Sequence, residues 1–351
     1  MKRTFLLVLM TSFFLANGFS QSANPHDPNL YQYVFVDCGE NHSIALRCNG
    51  TVNTWGDNAF GQLGNNDDPN DSNTPVVVSG ATGTDSLTGV IAVAAGDNHS
   101  LALRNDGTVW TWGNNNDGQL GNGTTTDSPF PVQVQDVGGG GTLSNAVAIA
   151  AGQRHSLAIL DDGSAVAWGY NSNGELADGT TTQRSYPVPM TGIDAGTEAY
   201  AVAAGNKHSY LLQSDGRVKS CGSDEDGQLG DNGNSGAGSF TSLLYVNTDN
   251  GGNIPLENII AIASGPTHGL ALDSNGEIWS WGNDGSSNNA LGRNATTPQY
   301  KYAGLVDNIT NAIAISAGTR VSFAMSADGT VWTFGDDDSG QLGIGAGDES
   351  T

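Results

Sequence analysis

Five histidines recur at near-constant spacing and are the residues that most readily suggest chemistry. They stand 53 to 60 residues apart, each three residues after a glycine: His42, His99, His155, His208 and His268. Imidazole can bind zinc or transfer protons near neutral pH. Zinc needs nitrogens about 2.1 Å from one ion, whereas equivalent atoms of neighbouring sheets lie about 10 Å apart. A sixth copy carries Val321 instead. We therefore predict that these histidines are structural and that the chain holds no metal there.

Acidic clusters are the second candidate for chemistry. They occur at residues 65–68, 224–226 and 336–338. A calcium loop needs oxygen ligands at regular spacing with a distal Glu, and Asp224-Glu225-Asp226-Gly227 is only a fragment of one. Glycoside hydrolysis needs two carboxylates at a set separation, and nothing selects a pair among 36 acidic residues. We expect solvated loops, with calcium binding left open.

Nucleophile and nucleotide motifs are absent from the sequence. It contains no serine-elbow triad, phosphate loop or His-Glu-x-x-His zinc motif, so we predict neither a catalytic residue nor a cofactor. Four Trp-Gly pairs occupy one register of the repeat, at Trp55, Trp112, Trp168 and Trp281. A large aromatic before a glycine suits close packing between repeats better than a carbohydrate platform.

Four short strands per repeat must position these residues. The first is an apolar run such as residues 91–95, and the second begins at the histidine. An Asn-Gly or Asp-Gly pair follows in all six copies, which favours a type I′ hairpin. The third strand ends in Trp-Gly, and a proline marks the fourth, as in residues 74–78 and 129–132. Because proline belongs on a sheet edge, the pattern predicts a propeller blade.

The repeated motifs Gly-x-x-His-Ser-x-Ala-Leu, Asp-Gly-x-Val, Trp-Gly and Gly-Gln-Leu-Gly recur in fixed order over residues 30–343. They resemble the regulator of chromosome condensation repeat family. The resemblance implies an all-β propeller of four-stranded blades, usually seven. Family members include a nuclear exchange factor for a small GTPase, and the family is also similar to a secreted propeller that inhibits β-lactamase. With six hairpin units but five outer strands, we expect a truncated seven-bladed ring; a six-bladed ring beginning at residues 30–38 is the alternative.

The N-terminus is typical of a secretory signal peptide. Lys2 and Arg3 precede an apolar run over residues 5–16, and small residues follow before a cut near Gln21. We expect a signal peptide at 1–20, a linker at 21–29 and a propeller at 30–351, secreted or on the cell surface without membrane insertion. Cys38, Cys48 and Cys221 are predicted to be free and mostly buried. The hairpin register separates Cys38 from Cys48 by about 17 Å, which is too far for a disulfide.

The charge balance excludes one class of partner. The formal net charge is −24, with 36 acidic residues against 12 Lys and Arg. Phosphate backbones bind by exchanging counterions for Lys and Arg, so this balance argues against nucleic acid. Acidic surfaces also keep secreted proteins soluble.

The residues that differ between repeats are the candidate binding residues. The two residues between Gly and His form the variable turns: Glu40-Asn41, Asp97-Asn98, Gln153-Arg154, Asn206-Lys207, Pro266-Thr267 and Thr319-Arg320. We expect these turns to share one face, the variable-turn face, with the loops after Trp-Gly that carry Phe60 and Tyr170. Binding residues concentrate on loops held by a rigid scaffold.

The functional hypothesis is a secreted, non-enzymatic propeller that binds an extracellular protein or surface ligand through the variable-turn face. A secreted enzyme inhibitor is less favoured, because tight interfaces use aromatic and arginine anchors and this face offers chiefly Phe60, Tyr170, Arg154 and Arg320. A carbohydrate-active enzyme using acidic residues at the channel mouth is the alternative from another class.

Overall fold

The chain folds into six consecutive antiparallel sheets, the blades of a propeller. The structure is a computed structural model and describes residues 33–67, 69–233, 238–248, 253–283, 289–293 and 299–344. Each of the first five blades has four strands, and the sixth has three described strands. The all-β propeller expected from the sequence is confirmed. The predicted signal peptide and linker, residues 1–29, lie outside the described residues.

The strands follow chain order within every blade, from the central axis outward. Blade 1 contains β1 Tyr33–Cys38, β2 His42–Arg47, β3 Val52–Gly56 and β4 Ser72–Val77. Blade 2 contains β5 Val90–Ala95, β6 His99–Arg104, β7 Val109–Gly113 and β8 Ser128–Gln133. Blade 3 contains β9 Ala146–Ala151, β10 His155–Leu160, β11 Ala165–Gly169 and β12 Arg184–Pro189. Blade 4 contains β13 Ala199–Ala204, β14 His208–Gln213, β15 Val218–Ser223 and β16 Ser239–Tyr245. Blade 5 contains β17 Ile259–Ser264, β18 His268–Asp273, β19 Ile278–Gly282, a short 3-10 helix Gln299–Lys301 and β20 Gly304–Leu305. Blade 6 contains β21 Ala312–Ala317, β22 Val321–Ser326 and β23 Val331–Gly335.

The hydrophobic core is divided into five clusters, each between successive blades. Between blades 1 and 2, for example, Ile44 and Val52 of one blade pack with Val93 and Trp112 of the next. Small alanines on the inner strands let the sheets approach closely near the axis, while Leu and Trp fill the wider outer part. Each blade therefore has little core of its own and depends on its neighbours.

A shared carbonyl oxygen joins each blade to the next. The Gln62 carbonyl of blade 1 accepts the Trp112 indole N–H at 2.9 Å and the Ser100 hydroxyl at 3.1 Å, both from blade 2. The Gln119 carbonyl accepts Trp168 and Ser156 in the same way. This accounts for the Gly-Gln-Leu-Gly motif, which delivers the acceptor. Burying these donors would be costly without such partners.

Buried histidines add a further hydrogen bond to this contact between successive blades, which we call the joint. His42 Nε2 lies 2.9 Å from Ser100 Oγ of the next blade, and four further pairs follow at 2.9–3.0 Å: His99–Ser156, His155–Ser209, His208–Ser264 and His268–Ser322. Since the serine hydroxyl donates to a carbonyl, its oxygen accepts from imidazole Nε2–H. Blade 5 has Gly269 at the usual serine position, and Ser264 at the end of its inner strand takes over.

Glycine before each variable turn is required by this joint. A Cβ on Gly96 would collide with the His99 ring and approach the Gly152 carbonyl of the next blade. The motif Gly-x-x-His is therefore a packing unit, because the absent side chain makes room for the imidazole.

The cysteine prediction was partly wrong. All three thiols are free, as expected, but Cys38 and Cys48 are exposed and only Cys221 is buried. Cys48 is exposed because it lies in the hairpin turn after the end of β2. Cys38 ends β1, which packs against β5 of blade 2 on one side and has no described blade packed on its other side. A two-residue turn at Glu40-Asn41 would pair Tyr33 with Cys48, but a β-bulge at Val34 places Tyr33 opposite Arg47.

Acidification should destabilise the fold through the five histidines. Burial lowers the pKa of His42, His155 and His268 to about 4 and of His99 and His208 to about 3. At pH values between the ordinary histidine pKa of 6.5 and these lowered pKa values, the unfolded chain binds more protons than the folded chain. The free energy of unfolding therefore falls as the pH falls. Each histidine contributes up to about 1.4 kcal/mol per pH unit in this window. Asp37, whose pKa burial raises to about 6, acts in the opposite direction.

Urea denaturation at pH 7 and pH 5 measures this effect. We expect a lower free energy of unfolding at pH 5, and a smaller pH dependence in His208→Asn because one proton-linked group is removed. A free energy that is equal or higher at pH 5 would contradict the assignment of these histidines as buried and neutral.

Candidate functional site

The variable turns are held together by their backbones. The Glu40 N–H donates to the Asp97 carbonyl at 3.2 Å, and the Asp97 N–H donates to the Gln153 carbonyl at the same distance. The Gln153 N–H continues to the Gly205 carbonyl, and the Asn206 N–H to Pro266. The turns of blades 1 to 5 thus form a connected chain around the axis. Pro266 lacks an N–H and cannot extend it to blade 6.

The segment after the glycine near the end of the third strand is fixed beside its own turn in all six blades, whether Trp, Cys or Phe precedes that glycine. The carbonyl of the second turn residue accepts the N–H of the residue that follows this glycine, at 2.8–2.9 Å, as in Asn98 with Asn114 and Arg154 with Tyr170. The glycine itself is needed, because a Cβ on Gly113 would meet the Asn98 carbonyl at 2.5 Å. The two segments therefore emerge on one face.

Buried asparagines give these loops a fixed shape. Asn115 is fully buried, and its amide nitrogen donates to the carbonyls of Thr124 and Thr126, while its oxygen accepts the Leu120 N–H. Asn58 and Asn171 make equivalent bonds in blades 1 and 3. The loops are thus rigid platforms, and little conformational entropy is lost when a partner binds to them.

The side chains of the predicted site residues differ in exposure. Exposed are Glu40, Asn41, Arg154, Lys207, Thr319 and Arg320; half-buried are Asp97, Asn98, Gln153, Asn206, Pro266, Thr267, Phe60 and Tyr170. The variable-turn face therefore combines polar turn residues with the half-buried aromatic rings of Phe60 and Tyr170. His42 and its four equivalents are buried and do not reach this surface. Trp112, Trp168 and Trp281 are likewise fully buried, whereas Trp55 is half-buried.

Arg154 is the best-organised cation of this face. Its guanidinium pairs with the Asp117 carboxylate of blade 2 and lies 4.7 Å from the ring centre of Tyr170 in blade 3. The ion pair and the cation–π contact hold an exposed side chain in one position across a blade boundary. Lys207 pairs with Glu225 at 3.5 Å and Arg320 with Asp336 at 3.7 Å, each within one blade.

The sequence did not reveal Asp117, Glu225 and Asp336 as partners of these bases. Each lies in a loop after the third strand of its blade, and their pairing with a turn depends on loop conformation that no local motif encodes. For Arg154 the pairing depends also on the alignment of two blades.

Burial and neighbouring charges shift the pKa of Asp97 in the variable turn of blade 2. Burial raises the pKa of Asp97 above its ordinary value, the Glu40 charge adds to the rise, and the Gln153 amide and Arg154 oppose it. Within the described ranges, no group of three or more His, Cys, Asp or Glu side chains is arranged to hold a metal ion. None of the described residues forms a helix with the length and hydrophobicity needed to span a bilayer.

Comparisons with known proteins agree with this architecture. UV-B receptor UVR8 of Arabidopsis thaliana is 30% identical over 318 residues, covering 90% of this chain and 68% of the receptor. Protein RCC2 homolog of Danio rerio is 28% identical, covering 81% of this chain and 56% of that protein. The E3 ubiquitin-protein ligase HERC2 of Mus musculus is 29% identical, but the chain spans only 6% of it.

Solved structures show the same fold at lower identity. Yeast RCC1 (Prp20), in its complex with Kap60, superposes with a TM-score of 0.73 at 22% identity, covering 91% of this chain and 73% of that chain. Human WBSCR16 gives a TM-score of 0.74 at 22% identity, covering 90% and 79%.

Family models match most of the propeller. The regulator of chromosome condensation (RCC1) repeat matches residues 49–103, 106–159 and 162–212, and a second model of the repeat matches 33–62, 90–119, 146–175, 200–228 and 259–288. The matches follow the blades in order and include the joint residues of blades 1 to 5. The chain belongs to the RCC1 repeat family.

Proposed function

We propose that this protein is an exported, non-enzymatic propeller that binds a protein partner through the variable-turn face. The observation that carries the proposal is the contrast within each repeat. The Gly, His and Ser residues form the joints between blades, whereas the two residues that follow the Gly form a different pair in each of the six blades and project from a fixed backbone. Rigid, differing side chains on a hydrogen-bonded scaffold suit specific recognition.

The relatives support protein binding as the general mode of action. Yeast RCC1 (Prp20) has been solved bound to Kap60, and the yeast protein binds Gsp1p and histones. Those partners are properties of the yeast protein, and its identity to this chain is 22%. The N-terminal sequence Met1–Ser20 supports export and hence a different, extracellular partner for this chain.

Arg154 is the residue on which we expect binding to depend most. Its pairing with Asp117 and Tyr170 fixes the guanidinium before a partner arrives, and pre-organised arginines are common interface anchors. Arg154→Ala should lower capture of the partner by at least about tenfold, a typical cost for truncating an anchor residue.

The measurement is quantitative capture from culture supernatant of the source organism by the immobilised full chain. Arg104→Ala is the matched control, since Arg104 pairs with Asp106 on the opposite face and the substitution changes charge equally. Equal capture by Arg154→Ala and the unaltered protein, or equal loss in both variants, would contradict the proposal. So would glycan turnover that is abolished by Asp97→Asn.

We also propose that a seventh blade fills the space between blades 6 and 1. Val36 on β1 is 53% exposed and Val331 on β23 is 61% exposed. Their equivalents in blades 2, 4 and 5, which have a blade on each side, are buried: Val93, Val202 and Ile262 for Val36, and Val109, Val218 and Ile278 for Val331. Both halves of the joint are present but unmatched among the described residues. Ser43 and Trp55 stand at the donor positions of blade 1, and Gln341 stands at the carbonyl position of blade 6. Ser43 Oγ lies 3.7 Å from Cys38 Sγ of its own blade, where the serines of blades 2, 3, 4 and 6 bond to a histidine of the preceding blade.

A blade inserted there would supply the complementary groups. Its His would bond to Ser43, its own Gly-x-Leu-Gly carbonyl would accept Trp55, and its Trp would donate to Gln341. A longer chain carrying one more repeat should therefore melt at a higher temperature than residues 21–351 alone, as measured by calorimetry. An identical melting temperature would show that the added repeat does not occupy this space.

A further inference from the structure

The inner strands share an irregularity on the face opposite the variable turns. In all six blades the pairing register between the first two strands shifts near the start of the inner strand, leaving its second residue as a β-bulge. The bulged residues are Val34, Ile91, Val147, Tyr200, Ile260 and Ile313. Bulges redirect a side chain that regular pleating would place elsewhere.

The bulged residues are all large and apolar, and most are exposed. Five of them are 38–47% exposed, and Val147 is half-buried against the cluster between blades 3 and 4. Successive inner strands pack side by side, so the same register position recurs at one level around the axis. We call these six residues the apolar ring. Apolar side chains scattered singly on a surface need no explanation, but a set that recurs at one level in every blade indicates an interaction site.

The hairpin turns give the apolar ring an acidic border. Each turn is tied to the start of a neighbouring inner strand, as in the bond from Asn105 N–H to the Gly89 carbonyl at 2.9 Å. The exposed acids on these turns and strand starts are Asp106, Asp161, Asp162, Asp215, Glu257 and Asp328. Arg104 and Arg217 on the same face are engaged in ion pairs with Asp106, Asp215 and Glu257.

We propose that the apolar ring is a second docking surface, and that its occupant is a protein segment combining apolar and basic side chains. The apolar residues would bury against the ring while Lys or Arg met the acidic border, which is charge complementarity of the kind that steers association. A second copy of this chain is a poorer occupant, because it would bring the acidic turns of two molecules together. This surface is separate from the variable-turn face and does not depend on the partner proposed there.

Two peptides of equal charge test the proposal with the full chain. One alternates Lys and Leu, the other Lys and Ser, and binding is followed by fluorescence anisotropy at physiological salt, which screens non-specific attraction. We expect the Lys–Leu peptide to bind at least about tenfold more tightly, because only it buries apolar surface. In the variant Ile91→Ser/Tyr200→Ser/Ile313→Ser this advantage should fall to within about twofold.

Control variants separate the possible outcomes. Asp106→Asn/Asp162→Asn should weaken both peptides by a similar factor, and Arg154→Ala should leave the Lys–Leu advantage unchanged. If the triple variant does not fold, as judged by melting temperature, Tyr200→Ser and Ile313→Ser are measured singly, since both side chains are nearly half exposed. Equal affinity of the two peptides for the unaltered protein, or an advantage that survives in the folded variants, would overturn the proposal. So would dimerisation that is lost in the triple variant, which would assign the ring to a second copy.

Discussion

The hydrogen bonds accepted by the backbone carbonyl of the second residue in the Gly-Gln-Leu-Gly motif are the interactions on which the structure depends. Gln62, for example, accepts the indole N–H and the serine hydroxyl of blade 2, and that serine in turn accepts from the histidine of blade 1. Since each blade buries most of its apolar surface only against its neighbours, misalignment at this point would expose two hydrophobic clusters at once. The polar joint thus sets the alignment that the apolar contacts require.

The joint also determines what the surface can present. By fixing the histidine, it fixes the preceding turn, whose backbone then connects with the turns of adjacent blades. Two residues per blade remain without a role in the joint, and these carry the differing side chains. At the opposite end the same strands begin with a bulge, which places an apolar residue at the surface of nearly every blade. One architecture therefore presents two chemically different faces, one polar with ordered cations and one apolar with an acidic border.

Most of the fold could be predicted from short-range features of the sequence. The Asn-Gly and Asp-Gly hairpins, the alternating inner strands and the proline-marked outer strands are all short-range features, and all six blades contain the hairpin where the turns predicted it. The predicted type I′ turn was wrong, because only the Gly of each pair has a positive φ and the preceding Asn or Asp does not. The bulges were not foreseen, because the extra residue is accommodated by pairing between strands and leaves no local signal. The exposure of Cys38 was mispredicted for a related reason: it depends on whether another blade packs against β1.

The candidate site was predictable in position but not in detail. The variable pairs were visible as differences within a repeated frame, yet the contact of Arg154 with Asp117 spans two blades. The takeover of the serine role by Ser264 in blade 5 is similarly a consequence of three-dimensional proximity.

A comparison within one hairpin tests the central claim that joint residues hold the fold while variable residues are free to change. Asn206→Asp/Lys207→Asn replaces the variable pair of blade 4 with that of blade 2, and His208→Asn alters the adjoining joint. We predict that the free energy of unfolding changes by less than about 1 kcal/mol in the first variant, which loses only an exposed ion pair. His208→Asn should lose about 2 kcal/mol or more, because it disrupts a buried hydrogen bond and its packing. Equal losses in the two variants would contradict the account.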